Sequence, residues 1–328
     1  MVQMAPGDTG QNGDQTTTTT TVTTRRPTVV LVIGMAGAGK TSLMGQIEDT
    51  LKKRRQSSAS SLSSSSYLIN LDPAVLNLSY EPNVDIRDTV NYKNVMKQYN
   101  LGPNGGILTS LNLFATRFDQ VISLCEKERE IPLEYVVADT PGQIEIFTWS
   151  ASGTIISEAF ASEFPTVIAF VVDTPRCSSP QTFIANMLQA CSIIYKTRLP
   201  LVLVFNKVDV CPHTFATEWM QDFDAFAKAL DADPSFSASF SRSLSLVLEE
   251  FYDNIPSVGV SAATGEGMDA LFGKIDECRV EYEREYKPFL EERKAQRKRA
   301  EEEAEKVRKA EDLKKLGEDL TRAHLRQG

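Results

Sequence analysis

Histidine is nearly absent from this chain. His213 and His324 are the only two among 328 residues, which excludes a histidine-rich metal site. The five cysteines, Cys125, Cys177, Cys191, Cys211 and Cys278, are scattered, odd in number and form no C-x-x-C pair. That pattern suits reduced thiols in the core of a cytosolic or nuclear protein rather than a disulfide framework. No apolar run is long enough to span a bilayer, and the amino terminus has no apolar signal core, so a soluble intracellular protein without a membrane partner is expected. Positive charge is also in deficit, at 35 Lys and Arg against 44 Asp and Glu, a net of −9. Nucleic acid and anionic lipid both repel such a surface, so direct binding to either is not expected.

What the chain does have is a series of short apolar β-branched runs separated by amphipathic stretches. The runs at 29–33, 133–139, 166–173, 199–207 and 257–262, with "YLINLDP" after residue 66, read as buried strands. Strand alternating with helix predicts an α/β fold with a mostly parallel sheet flanked by helices. Residues 1–27, rich in Thr, Gly and Gln, read as a disordered tail, and 28–287 as the domain. Within the domain, 56–66 reads as a Ser-rich surface insertion. Residues 213–252 read as a helical insertion whose Phe215, Trp219, Phe223, Phe226, Phe240, Leu244, Leu248 and Phe251 suit a core, or else a client groove. From 288 to 328 a charged helical tail is expected, in which Leu313, Leu316 and Leu320 could form a partner-binding or nuclear-export stripe.

"GMAGAGKT", Gly34 to Thr41, fits G-x-x-x-x-G-K-[ST] between a strand and a helix, the setting of a P-loop NTPase fold. Backbone N–H groups of such a loop cradle phosphates, and the helix N-terminus adds partial positive charge. Gly37, Ala38, Gly39, Lys40, Thr41 and Ser42 are therefore candidate phosphate ligands. Lys40 would reach the β- and γ-phosphates, and the Thr41 hydroxyl would ligate Mg²⁺. Asp139 leaves the carboxyl end of a buried strand, where it can hold Mg²⁺ through water. The D-T-P-G that it opens places the Gly142 N–H to detect a γ-phosphate. Gln143 and Glu145 follow and could orient or polarise the attacking water.

The strand "LVLVFN" runs into Asn206-Lys207-Val208-Asp209. Guanine presents N1–H and its exocyclic amine as adjacent donors, and the Asp209 carboxylate can accept both, whereas adenine would leave it unsatisfied. Lys207 can lay its stem over the base, Asn206 can bridge to the phosphate loop, and the Ser261 and Ala262 amides could meet guanine O6. Alternatives to a GTPase are a kinase passing the γ-phosphate to a small substrate, or a scaffold that retains nucleotide. A kinase needs phosphate-clamping arginines; Arg87 and Arg176 are available but form no obvious clamp. Between these motifs, "LGPNGG" (101–106) reads as a rigid turn, with Pro103 presetting one angle and Gly105 and Gly106 permitting unusual dihedrals.

From Arg26 to Tyr286, "GMAGAGKT", "NLDPA", "DIRD", "GPN", "DTPGQIE", "NKVD" and "SAATGEG" together resemble the GPN-loop GTPases, P-loop proteins that work as nucleotide-dependent dimers, and most closely their eukaryotic type 1 branch. The resemblance implies that Asn104 of one protomer reaches the γ-phosphate region of the other, in a homodimer or with a paralogous GPN-loop GTPase. It implies hydrolytic roles for Asp72, Gln143 and Glu145, with Asp139 near the metal; Asp72 suits water activation or the metal side equally. It further implies RNA polymerase II subunits or assembly factors as clients, and a cytoplasmic protein that shuttles to the nucleus. Where related dimeric ATPases carry a signature lysine, this chain has Met35 and Ala36, which suits a slow switch.

Overall fold

The computed structural model describes residues 26–57, 65–127, 129, 131–231 and 255–325, with side chains in the last helix up to 306. The expected disordered tail (all but its last two residues), most of the Ser-rich insertion and residues 232–252 of the helical insertion lie outside the described residues. So do the side chains of Leu313, Leu316 and Leu320.

β1 (Thr28–Gly34) is buried along its whole length. Its alternation sorts side chains into two layers, because successive residues of a strand face opposite ways. Val29, Leu31 and Ile33 enter one core, Val30 and Val32 the other. The other described strands are β2 (Ser65–Asn70), β3 (Val84–Asp85), β4 (Leu133–Asp139), β5 (Thr166–Asp173), β6 (Leu201–Asn206) and β7 (Ser257–Val260). They form one all-parallel sheet in the order β3-β2-β4-β1-β5-β6-β7.

The first half of the chain contributes helices α1 (Lys40–Ser57), α2 (Ile86–Thr89), α3 (Tyr92–Gln98), α4 (Pro103–Ala115), α5 (Phe118–Glu126), α6 (Ile144–Thr148) and α7 (Ala151–Glu163). The second half adds α8 (Thr174–Cys177), α9 (Pro180–Thr197), α10 (Thr214–Gln221), α11 (Phe223–Asp231), α12 (Met268–Glu281) and α13 (Lys287–Leu325). Leu43 and Ile47 of α1, with Leu271, Phe272 and Ile275 of α12, cover one face of the sheet. Leu111, Phe118, Phe160 and Phe183, from α4, α5, α7 and α9, cover the other. Apolar burial on both faces is what lets parallel strands read as continuous apolar runs. β1 sits between β4 and β5, so the loops at their carboxyl ends open the crevice where ligands of such sheets bind.

Three details differ from the sequence expectation. Ser65 and Ser66 are not surface insertion but the start of β2, paired with Leu133 and Tyr135. Gly102-Pro103-Asn104 is not a free turn: Gly102 is the N-cap of α4, and Pro103 and Asn104 form its first turn. Proline suits that position because the first helical N–H has no partner to lose. Gly105 and Gly106 are helical as well, and a Cβ at Gly106 would stand 2.5 Å from Met96 Cγ and 2.8 Å from Tyr92 Cε2. The missing side chain permits close contact between α3 and α4, not an unusual dihedral.

The described part of the helical insertion is core-like. Ala216, Met220, Phe226 and Leu230 are buried, and the Trp219 ring lies 5.3 Å from Phe183 and 5.4 Å from Phe226. At the other end, α12 passes through a π-helical turn, Tyr282–Tyr286, into α13. Tyr282 Oη donates to Ala161 O at 2.6 Å and Leu290 packs on the core, so domain packing extends past residue 287. Burial pushes the thiols of Cys125, Cys177 and Cys278 up to about 12 and that of Cys191 to about 11, as expected of core residues. No described helix is long and apolar enough to cross a membrane.

One glycine of α7 carries a stability prediction. Ser150 caps α7 by accepting from the Gly153 N–H at 3.0 Å, and a Cβ at Gly153 would overlap the Phe147 carbonyl oxygen. Gly153→Ala should lower stability by about 2 kcal/mol, read as a shift of the denaturant midpoint, because backbone rather than a flexible side chain must give way.

Candidate nucleotide site

The phosphate loop is shaped by two glycines. Gly37 and Gly39 take φ of 85° and 86°, a region that side chains rarely enter. Lys40, only 6% exposed, turns back over the loop and donates from Nζ to Gly34 O at 2.8 Å and to Met35 O at 3.3 Å. Burial lowers its pKa from the ordinary lysine value, with Asp139 and Asp72 acting against the shift. Ala38 is buried, while Ser42 is exposed on the first turn of α1.

Thr41 Oγ1 donates to Asp139 Oδ2 at 3.0 Å, joining residues 98 apart in sequence. The Asp139 carboxyl is pushed up to about 6 by burial, a shift opposed by Lys40 and by the Thr41 bond. Its other oxygen, Oδ1, is buried without a partner among the described residues. Such an orphaned acceptor beside a hydroxyl fits Mg²⁺, which takes few protein ligands and keeps water and phosphate oxygens for the rest. No cluster of three or more His, Cys, Asp or Glu is found among the described residues.

Beside this pair lies the segment after β2. Asp72 accepts from the Ala74 N–H at 2.9 Å, and the Gly142 amide lies near enough to favour its charged form. Burial raises its pKa, while these amides, Lys40 and Arg87 pull against the rise. Gly142, expected to sense a γ-phosphate, thus faces Asp72; a Cβ on it would stand 3.8 Å from Ala36 of the phosphate loop. Gln143 is half-buried as the N-cap of α6, its Oε1 buried without a partner among the described residues. Glu145, two residues on, is exposed. Asn104 is exposed too. Its turn is tied to the crevice by Tyr92, whose hydroxyl donates to Pro103 O at 3.2 Å and whose pKa is raised by burial and by the nearby Asp72 charge.

Arg87, one of the two arginines available to a kinase, is fully engaged. Nε donates to both Asp85 oxygens at 3.0 Å and Nη2 to Oδ2 at 2.6 Å, while Nη1 reaches the Val75 and Leu76 carbonyls. Burial works against the Asp85 charge, but the Arg87 and Asn70 bonds more than offset it and hold that carboxyl below its usual range. Arg176 is exposed and pairs with Asp173 at 3.5 Å.

On the opposite flank, β6 and β7 present the residues expected to read the base. Asn206 Nδ2 donates to Ala38 O at 2.9 Å, the expected bridge to the phosphate loop. Lys207, at φ 70°, donates from Nζ to Gly37 O and to Asp173 Oδ2, both at 2.8 Å. Asp173 was missed by sequence reasoning, although it ends β5 just as Asp139 ends β4. Asp209 is exposed and accepts from Ser261 Oγ at 2.6 Å.

The Ser261 and Ala262 amides do not wait free for a base. Ser261 N–H donates to Glu266 O at 3.0 Å, because the turn closes on itself there, and Ser261 serves Asp209 through its side chain instead. Ala262 N–H donates to Asn206 Oδ1 at 3.1 Å, so a base carbonyl would have to share or replace that bond. The residues expected to serve phosphate, cation and base therefore stand along the carboxyl ends of one sheet.

A family model described as "conserved hypothetical ATP binding protein" matches residues 32–281. A GPN-loop GTPase of Arabidopsis thaliana is 60% identical over 80% of this chain and 67% of its own length. GPN-loop GTPase 1 of Dictyostelium discoideum is 55% identical over 88% of this chain and 70% of its own. Among solved structures, a GTPase in apo form from Pyrococcus abyssi shares the fold, with a TM-score of 0.64 and 24% identity over 77% of this chain and 98% of that one.

Proposed function

The chain belongs to the GPN-loop GTPases, and from that premise we propose that this GTP-binding, GTP-hydrolysing switch is a Mg²⁺-dependent dimer assisting assembly and nuclear import of RNA polymerase II. The observation that carries the hydrolytic reading is the joining of Thr41, Asp139 and Lys40 at the phosphate loop with Asp209 held for a base on the neighbouring flank. Although one family description mentions ATP, a carboxylate at Asp209 favours guanine by pairing with two donors that adenine lacks.

In the hydrolysis, water adds to the γ-phosphorus as the bond to the β,γ-bridging oxygen breaks, giving GDP and phosphate. Bound Mg²⁺ would be held by Thr41 and, through water, Asp139, and supplies charge stabilisation to the phosphates. Lys40 holds the β- and γ-phosphates. The Gly142 amide, which lies beside Asp72, turns to the γ-phosphate, while Asp72 and Gln143 orient the water and Glu145 of the first turn of α6 polarises it. The chain provides alignment and fixed dipoles rather than a covalent intermediate.

Asn104 supplies the contact from the second protomer, a neutral amide where a lysine would add charge. Support comes from its exposure on the first turn of α4 and from the absence of a cation at Met35 and Ala36. Asn104→Ala should lower kcat about tenfold or more, the scale of losing one transition-state donor, with GTP affinity nearly unchanged. Mixing it with a Lys40→Ala partner should restore turnover at one composite site per dimer. Absence of restoration would sink the contact in trans. For the client, affinity capture with protein locked in the GTP or the GDP state should retain polymerase II subunits in one state and not the other; equal absence from both would remove that role.

A further inference from the structure

Two consecutive residues of the segment between β2 and β3 reach both members of the proposed metal pair. Ser79 Oγ donates to the Thr41 carbonyl at 2.6 Å. Tyr80, 5% exposed and packed in the core under α1, directs its hydroxyl to Asp139 Oδ2 at 3.4 Å, across 59 residues of sequence. The turn is seated closely: a Cβ on Gly45 of α1 would stand 2.8 Å from Ser79 O. Asp139 Oδ2 thus has two hydroxyl donors, Thr41 and Tyr80, while Oδ1 has no partner among the described residues.

A buried carboxylate with one oxygen committed twice and the other uncommitted is oriented, not merely satisfied. We propose that Tyr80 is a positioning residue for the metal-side carboxylate, fixing the Asp139 rotamer so that Oδ1 stays available to the water of the bound cation. The Thr41 hydroxyl would lend the cation a lone pair while keeping its proton for Asp139. Tyr80 then shares the load of stabilising a charge that burial opposes. The turn carrying Tyr80 also follows directly from the strand that delivers Asp72, so metal affinity and the position of the hydrolytic segment are linked through one phenol. This rests on the assignment of Asp139 to Mg²⁺.

Tyr80→Phe keeps the ring and deletes only the donor. Release of a fluorescent GDP analogue, followed as free Mg²⁺ is titrated with EDTA, should show its half-saturating Mg²⁺ raised roughly tenfold, the scale of losing an outer hydrogen bond to a metal ligand. Mn²⁺ titration of the GDP complex by electron paramagnetic resonance should show the same loss. In excess EDTA, release should match the unsubstituted protein. Ser79→Ala, which unhooks the same turn without touching Asp139, should leave the Mg²⁺ midpoint in place. An unchanged midpoint in Tyr80→Phe would overturn the inference, as would faster release in EDTA or an equal shift in Ser79→Ala. Release from the unsubstituted protein that ignores Mg²⁺ would instead overturn the metal assignment beneath it.

Discussion

Lys40→Ala should weaken GTP binding by about a hundredfold or more, since charge-assisted bonds to two phosphates are lost at about 1.5–3 kcal/mol each. The side chain is already folded over the loop, with its ammonium held by the Gly34 and Met35 carbonyls. Little ordering entropy is therefore left to lose when phosphates arrive, and the charge acts from a desolvated position where it is poorly screened. GDP affinity should fall too, by less, because only the β-phosphate contact disappears. Titration with a fluorescent nucleotide reads both. Unchanged affinity for GTP would remove the phosphate-loop assignment altogether.

The second large effect lies on the other flank. Asp209→Asn should cost GTP about a hundredfold in affinity, since two charge-assisted bonds are lost, and make xanthosine triphosphate the better ligand. The geometry favours a clean exchange. Ser261 Oγ donates to Asp209 Oδ1, and an asparagine can keep accepting that bond through its carbonyl oxygen while its amide turns to the base. Xanthine carries a carbonyl where guanine carries its amine, so it can accept from that amide. Competition between the two triphosphates is the measurement; a substituted protein that still prefers GTP would remove Asp209 from base selection.

The strands were legible because parallel strands are covered on both faces and so appear as unbroken apolar runs, as in "TVIAFVVD" and "LVLVFN". The phosphate-loop, D-x-x-G, N-K-x-D and S-A motifs were legible because each lies at the carboxyl end of such a run. What sequence spacing could not show are bonds between distant residues: Thr41 with Asp139, Lys207 with Asp173 at a separation of 34, and Asp209 with Ser261 at 52. Asp173 carried the same strand-end signal as Asp139 and could have been found; Tyr80 carried none. The start of α4 was obscured by its glycine pair, although Pro103 followed by Ile107, Leu111 and Phe114 has helical spacing. The Ser261 and Ala262 amides went astray for another reason. A backbone N–H is used by whichever acceptor the turn brings near, and that depends on turn geometry that residue names do not encode.

Sheet order has one more consequence. The residues assigned above to the terminal phosphate and its water, Asp72, Gly142 and Gln143, follow β2 and β4, on one side of β1; those assigned to the base, Asn206, Lys207, Asp209 and Ser261, follow β6 and β7, on the other. On that assignment, which nucleoside is bound and how many phosphates it carries are judged by separate committees that meet at the loop from Gly34 to Thr41. A chain altered on the nucleoside side should still keep time on the phosphate side, running the same cycle on a different fuel.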